Sequence, residues 1–171
     1  DGPEGMGSVG QRMQAVEPLY PDAKRPTVFQ DGLEFQDFVC TALAEHGIIL
    51  QNLSSKRYQI TVGENLQGFE IKLDNRCTDT GRLSIEIAEK SRVDIACWTP
   101  SGILRCDNSW LYIQGNREIL FVFPKRMLLA WYNQKKPEIV EHGGTIKRFF
   151  LAFADAEKVA ARVFDFRKAA T

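Results

Sequence analysis

The sequence predicts an α/β fold, a central mixed β-sheet flanked by α-helices. Three observations carry this. An apolar stripe at helical spacing runs through residues 31–47. Strands with one apolar and one polar face occupy residues 69–74 and 82–89. A continuously apolar run, Ile119 to Phe123, has the pattern of a central strand covered on both faces. The chain has 171 residues, within the range of one domain, and 44% of them are hydrophobic, enough for a sizeable core. Residues 1–26 are rich in Gly and Pro and lack periodicity. They read as a flexible N-terminal arm with a short ordered piece near Val16 to Tyr20, and residues 27–171 as a single domain. Because the chain begins with Asp1 rather than Met, it reads as processed or truncated.

The elements follow in order. Asp31 is placed to cap a helix, with Glu34 three positions on as in a capping box. Phe35, Phe38, Val39, Ala42 and Leu43 form its apolar stripe, and Gly47 ends it. Tyr58, Ile60 and Val62 alternate with polar residues and predict a first strand. A turn over residues 63–68 leads to a second strand, in which Phe69, Ile71 and Leu73 point one way and Glu70, Lys72 and Asp74 the other. After a polar loop, the third strand places Leu83, Ile85 and Ile87 on one face and Ser84, Glu86, Ala88 and Lys90 on the opposite one. The loop length suits an antiparallel hairpin. Pro100-Ser101-Gly102 predicts a turn opening a short helix, and Trp110 to Ile113 a strand. Pro124 fits the first turn of a helix carrying Met127, Leu128 and Trp131, which Lys135-Lys136-Pro137 breaks. Thr145 to Phe153 is a strand candidate, Asp155 to Arg162 a closing helix and Val163 to Phe166 an edge strand.

Composition excludes several classes. Lys+Arg and Asp+Glu both number 22, so a globally basic coat is absent and any polyanion would meet a local cluster. No apolar run approaches the roughly 20 residues needed to span a bilayer, and no charged-then-apolar leader opens the chain. The four cysteines lack CxxC spacing and read as reduced thiols of a cytoplasmic protein. With His46 and His142 the only histidines, a zinc site and a Ser-His-Asp hydrolase are poorly supported.

The chemistry is carried by the two polar faces. Strands in a hairpin lie about 4.8 Å apart, so Asp74 and Glu86 would approach across the sheet and share one divalent cation. Mg²⁺ takes one or two carboxylates together with water and substrate phosphate. A lysine close by, Lys72 or Lys90, would orient the attacking water or neutralise charge on the phosphate. The plain alternative is a solvated face with cross-strand ion pairs. Glu34, at the third helical position, has a plain reading as a partner of the helix dipole.

At these residues the chain resembles a family. The helix patterned Gly32-Leu33-Glu34-Phe35-Gln36 and ending at Gly47, then Asp74, then Glu86 on the following strand, is similar to the PD-(D/E)xK nuclease superfamily, small phage or bacterial type. The resemblance covers roughly residues 31–123, and Pro100-Ser101-Gly102-Ile103 and Asp107-Asn108-Ser109-Trp110-Leu111-Tyr112 add to it. It implies a restriction endonuclease-like core and a Mg²⁺-dependent endonuclease (Mn²⁺ as the substitute) acting on DNA, with RNA as the alternative substrate. It also implies metal ligands Asp74 and Glu86, a catalytic Lys90 or Lys72, and further acids Glu70 and Glu34. The family places its lysine two residues after the glutamate, where this chain has Ala88. That departure also supports a second expectation, a nuclease-fold module that binds nucleic acid or a protein without chemistry. Ser101, Arg105, Lys125 and Arg126 are the candidates for nucleic-acid contact, although such cations often only solvate a helix. A homodimer would let two sites cut both strands of a duplex.

Overall fold

The computed structural model describes residues 25–51 and 56–169. The expected arm, with its ordered piece near Val16, lies outside the described residues except for Arg25 and Pro26. These two open helix α1 (Arg25–Glu45). Pro26 suits a first helical turn, so the helix starts upstream of the expected cap. Asp31 and Glu34 are therefore interior positions, and Glu34 accepts a bond from Gln30 at 3.0 Å. Phe35, Val39 and Leu43 are buried along one face, each contributing about 1.5–3 kcal/mol. The helix stops at Gly47, whose φ of 77° lets its N–H reach Ala44 and that of Ile48 reach Leu43.

The strand expected around Tyr58 is instead a short helix, α2 (Lys56–Thr61). Its Gln59 carbonyl accepts a bond from Arg105, far along the chain, so tertiary contacts set the local conformation.

Among the described residues there are two four-stranded sheets rather than one central sheet. The first runs β1 (Phe69–Leu73), β4 (Leu111–Gly115), β5 (Ile119–Pro124) and β8 (Arg162–Asp165), with β1 parallel to β4 and the other pairs antiparallel. The second is antiparallel throughout, in the order β3 (Thr99–Pro100), β2 (Arg82–Glu89), β7 (Ile146–Ala152), β6 (Val140–His142). The expected hairpin is thus absent, because β1 and β2 belong to different sheets. The connection does not turn back on itself. It forms helix α3 (Cys77–Thr80), buries Cys77 completely and leaves through Gly81 at φ 64°.

Layering follows from the two faces of the first sheet. Phe69, Leu111, Ile113, Leu120 and Val122 pack against α1. Tyr112, Ile119, Phe121 and Phe123 pack with Leu83, Ile85, Phe149 and Leu151 of the second sheet. Helices α4 (Lys125–Lys135) and α5 (Phe153–Val159) close this side through Leu128 and Ala156. The apolar run from Ile119 to Phe123 is therefore covered on both faces, as its composition predicts. Helix α4 ends at Lys136, held at φ 45°. No helix of the described residues is long and apolar enough to cross a membrane. All four cysteines are free, and burial, aided by Asp74, pushes the Cys77 thiol up to about 12.

Candidate active site between the two sheets

Although β1 and β2 are not neighbours, their polar faces meet. An open cleft of about 400 Å³ is lined by Lys72 and Asp74 from the end of β1, Arg82, Ser84 and Glu86 from β2, Tyr112 and Gln114 from β4, and Arg148 and Phe150 from β7. The join is made by side chains. Asp74 Oδ2 accepts the Ser84 N–H at 2.8 Å and the Gln114 amide at 3.3 Å. The Gln114 amide also donates to the Ser84 carbonyl at 2.8 Å. Both backbone groups of Ser84 are thereby satisfied from the first sheet, which seats β2 over the end of β1.

Glu86 is fixed by the Ser101 turn. The Ser101 hydroxyl donates to Glu86 Oε1 at 2.5 Å, and its N–H bonds the Ile87 carbonyl at 3.0 Å. Gly102 has φ 49°, and a Cβ there would stand 2.3 Å from the Glu86 carbonyl oxygen, so only glycine permits the approach. Ser101, expected to meet nucleic acid, is buried and positions Glu86 instead.

Lys72 forms an ion pair with Glu70 at 3.0 Å. Burial works against the lysine charge, but Glu70 and Glu86 outweigh it and raise its pKa, so the ammonium persists at neutral pH. Glu70 is 3% exposed, and among the described residues its Oε2 has no hydrogen-bond partner. Burial pushes its carboxyl up while Lys72 pulls the other way. The Tyr112 hydroxyl is also buried and, among the described residues, unpartnered. Burial, and then the carboxylates of Glu70, Glu86 and Asp74, push its pKa far up, so it remains a donor.

Lys90 is not brought to the cleft. A β-bulge after Glu86 interrupts the alternation and sets Ala88 opposite Lys147. Ile146, Arg148 and Phe150 line the cleft, so Lys147 faces away from it. Lys90 follows: its Nζ lies 4.7 Å from the Trp98 ring centroid, beside that of Lys147 at 4.4 Å, and donates to the Val93 carbonyl. Glu34 is exposed and lines a separate cleft with Asp31, Asn116 and Arg117. Lys125 is buried, bound to Asp107 at 3.0 Å and to the Arg105 carbonyl at 2.9 Å, so it presents no ammonium to a phosphate. Arg105 is committed to Glu64 at 2.6 Å. Arg126 is exposed on a third cleft, which Trp110 also lines.

Tyr112, Gln114, Arg82, Arg148 and Phe150 were not legible as site residues. Period-two alternation puts Arg148 and Phe150 on one strand face, but nothing in the sequence pairs that strand with β2.

Among the described residues no group of three or more His, Cys, Asp or Glu side chains is gathered for a metal ion. The two carboxylates of the cleft nevertheless fit Mg²⁺. Asp74 spends Oδ2 and Glu86 spends Oε1 on protein donors, and Oδ1 and Oε2 have no protein hydrogen bond among the described residues. Mg²⁺ ordinarily takes one or two carboxylates and completes its shell with water and phosphate rather than an all-protein cage, so a site of this composition would suit it. The chain matches no family model, no curated protein and no solved structure.

Proposed function

We propose that this protein is a metal-dependent endonuclease with a restriction endonuclease-like core, hydrolysing phosphodiester bonds in DNA. The reading rests on one observation: Lys72, Asp74 and Glu86, carried by strands of two different sheets, line one cleft. Asp74 and Glu86 would hold Mg²⁺, or Mn²⁺ in its place. Bound there, the ion supplies Lewis acidity and lowers the pKa of a coordinated water. The remaining steps belong to the chain. Lys72, charged at neutral pH, faces the negative charge that grows on the phosphate oxygens. Glu70 holds the Lys72 ammonium in place. The free thiols suit an intracellular setting, the resemblance to small phage and bacterial nucleases carries the proposal of such an origin, and a homodimer would place two such clefts on one duplex.

Purified protein should nick supercoiled plasmid with Mg²⁺ or Mn²⁺ and stop on chelation. Glu86→Gln and Asp74→Asn, which keep shape and hydrogen bonds, should each lower the rate at least about a hundredfold. Equal nicking by wild type and Asp74→Asn would overturn the assignment. RNA of the same sequence, assayed in parallel, decides the sugar.

A second reading is a nuclease-fold module without chemistry. It is favoured by Ala88 and by the protein hydrogen bonds that Asp74 and Glu86 already carry. Calorimetric titration separates the two: heat of Mg²⁺ or Mn²⁺ binding that vanishes in Glu86→Gln supports the enzyme. Salt-sensitive nucleic-acid binding without metal binding supports the module.

A further inference from the structure

Glu86 and Arg148 stand directly opposite each other on β2 and β7. Opposite charges so placed across an antiparallel pair ordinarily meet. Here they do not. Glu86 turns to Ser101, while Arg148 turns to the Ser84 hydroxyl at 3.1 Å. The Arg148 guanidinium carbon lies 5.4 Å from the Phe150 ring centroid, and that of Arg82 lies 3.9 Å from the same centroid. Two guanidinium groups thus converge on one aromatic ring inside the cleft, and neither has a carboxylate partner among the described residues. Among the described residues Arg148 Nε is buried with no hydrogen-bond partner. Arg148 itself is half-buried and lines the cleft, so its guanidinium can meet an anion that enters there.

We infer that Arg82 and Arg148, braced by Phe150, form a phosphate subsite next to the metal-binding carboxylates, and that it takes the backbone phosphate flanking the one cut. This deepens the nuclease reading and rests on it for the identity of the cut bond. Three points support it. A stacked guanidinium is pre-organised, and its planar fork matches phosphate oxygens bidentately. Phe150 is opposite Ser84, two residues from Glu86 on β2. That is about 7 Å along an extended strand, on the order of one nucleotide step. Finally, on a chain with no net charge a local cationic wall is what a polyanion requires, and Lys125 and Arg105 do not provide it, being engaged by Asp107 and Glu64.

The test is oligonucleotide binding in chelator, where no metal chemistry contributes, followed by fluorescence anisotropy across a salt series. Labelled DNA and RNA of one sequence are the probes, since the backbone charge is common to both. Arg82→Gln/Arg148→Gln should bind at least tenfold more weakly. Its slope of log affinity against log salt should be shallower by about 0.9 for a duplex or 0.7 for a single strand, the loss of one phosphate contact. Arg82→Lys/Arg148→Lys should keep the slope and recover only part of the affinity, because charge remains and the fork is lost. Arg82 is exposed, so Arg82→Gln alone gives the same sign without a folding penalty. Wild-type affinity and slope in the double Gln protein, whether or not the wild type nicks plasmid, would overturn the subsite. Wild type that binds with these dependences but never cuts with Mg²⁺ or Mn²⁺ upholds the subsite and removes the nuclease reading. No binding by wild type removes the subsite.

Discussion

Glu70 is hard to reconcile with a merely solvated sheet face. Its carboxyl is buried, one oxygen is held by Lys72 and the other by no group among the described residues. Because its folded pKa is raised above the ordinary 4.5, the native state takes up a proton before the unfolded chain does. The associated stability is complete below the ordinary carboxylate pH and is lost as pH rises through the folded pKa. Thermal melts should show the wild type losing stability over that rise, while Glu70→Gln lacks this limb. A parallel pair of melting curves would contradict it. In the same variant Lys72 loses the partner that raises its pKa, so the alkaline limb of plasmid nicking should move to lower pH. Asp107 has the opposite sign. Burial would raise its carboxyl, but the Ser109 N–H and Lys125 outweigh that and hold it below the ordinary value. Its contribution is present above that value and lost as pH falls through the folded pKa. Lys125→Met leaves this buried carboxylate without its closest cation. It should cost about 3–5 kcal/mol in urea unfolding, much of it recovered by adding Asp107→Asn, with the salt dependence of oligonucleotide binding unchanged.

At the level of elements, the 3₁₀ turn Gly102–Leu104 and the bulge of β2 act together. The turn docks on β2 where the ladder to β7 is irregular, and the Ser101 hydroxyl reaches Glu86 only because Gly102 lets the backbones close. Gly102→Ala is expected to destabilise by about 1–3 kcal/mol, since it combines a left-handed φ with a steric overlap. Its cost in nicking rate should exceed that of Ser101→Ala, which removes one bond and leaves the turn in place. Equal melting of Gly102→Ala and wild type would show that the turn is not seated on β2. The same bulge explains how a lysine four residues after Glu86 reaches Trp98 rather than the cleft. Alternation over residues 84–90 is visible in the sequence, whereas an extra residue in the ladder is not, because it depends on the partner strand.

Across the whole molecule, what was legible followed local rules and what was missed followed partner choice. The apolar run Ile119 to Phe123 and the alternation in Phe69 to Leu73 and in Arg82 to Glu89 each specify a strand by side-chain period, and each is one. Tyr58, Ile60 and Val62 show the same period over too few residues, and long-range bonds to Arg105 and Asn108 hold that segment in a helical turn. Asp74 and Glu86 line one cleft, yet the hairpin expected to bring them there is absent. What joins their strands is the Ser84 bridge between two sheets, which requires Gln114, a residue without chemical signature. Asp74→Ala should therefore lose stability as well as activity, by about 1–3 kcal/mol, and Asp74→Asn should lose much less. Similar melting of the two variants would deny Asp74 its bridging role.

The Ser84 bridge also makes a spectroscopic handle. Its amide proton is held at 2.8 Å by a carboxylate oxygen rather than by a carbonyl, and it belongs to the strand that carries Glu86. Charge-assisted bonding of this kind is short and strong, so the Ser84 resonance should lie downfield and exchange slowly with solvent. A cation drawing on the same carboxylate would weaken that acceptor. The resonance should then move upfield, and its exchange quicken, as Mg²⁺ is titrated in. One backbone amide would thus report cation occupancy without any turnover, and an unmoved peak at saturating Mg²⁺ would show that Asp74 is not a ligand.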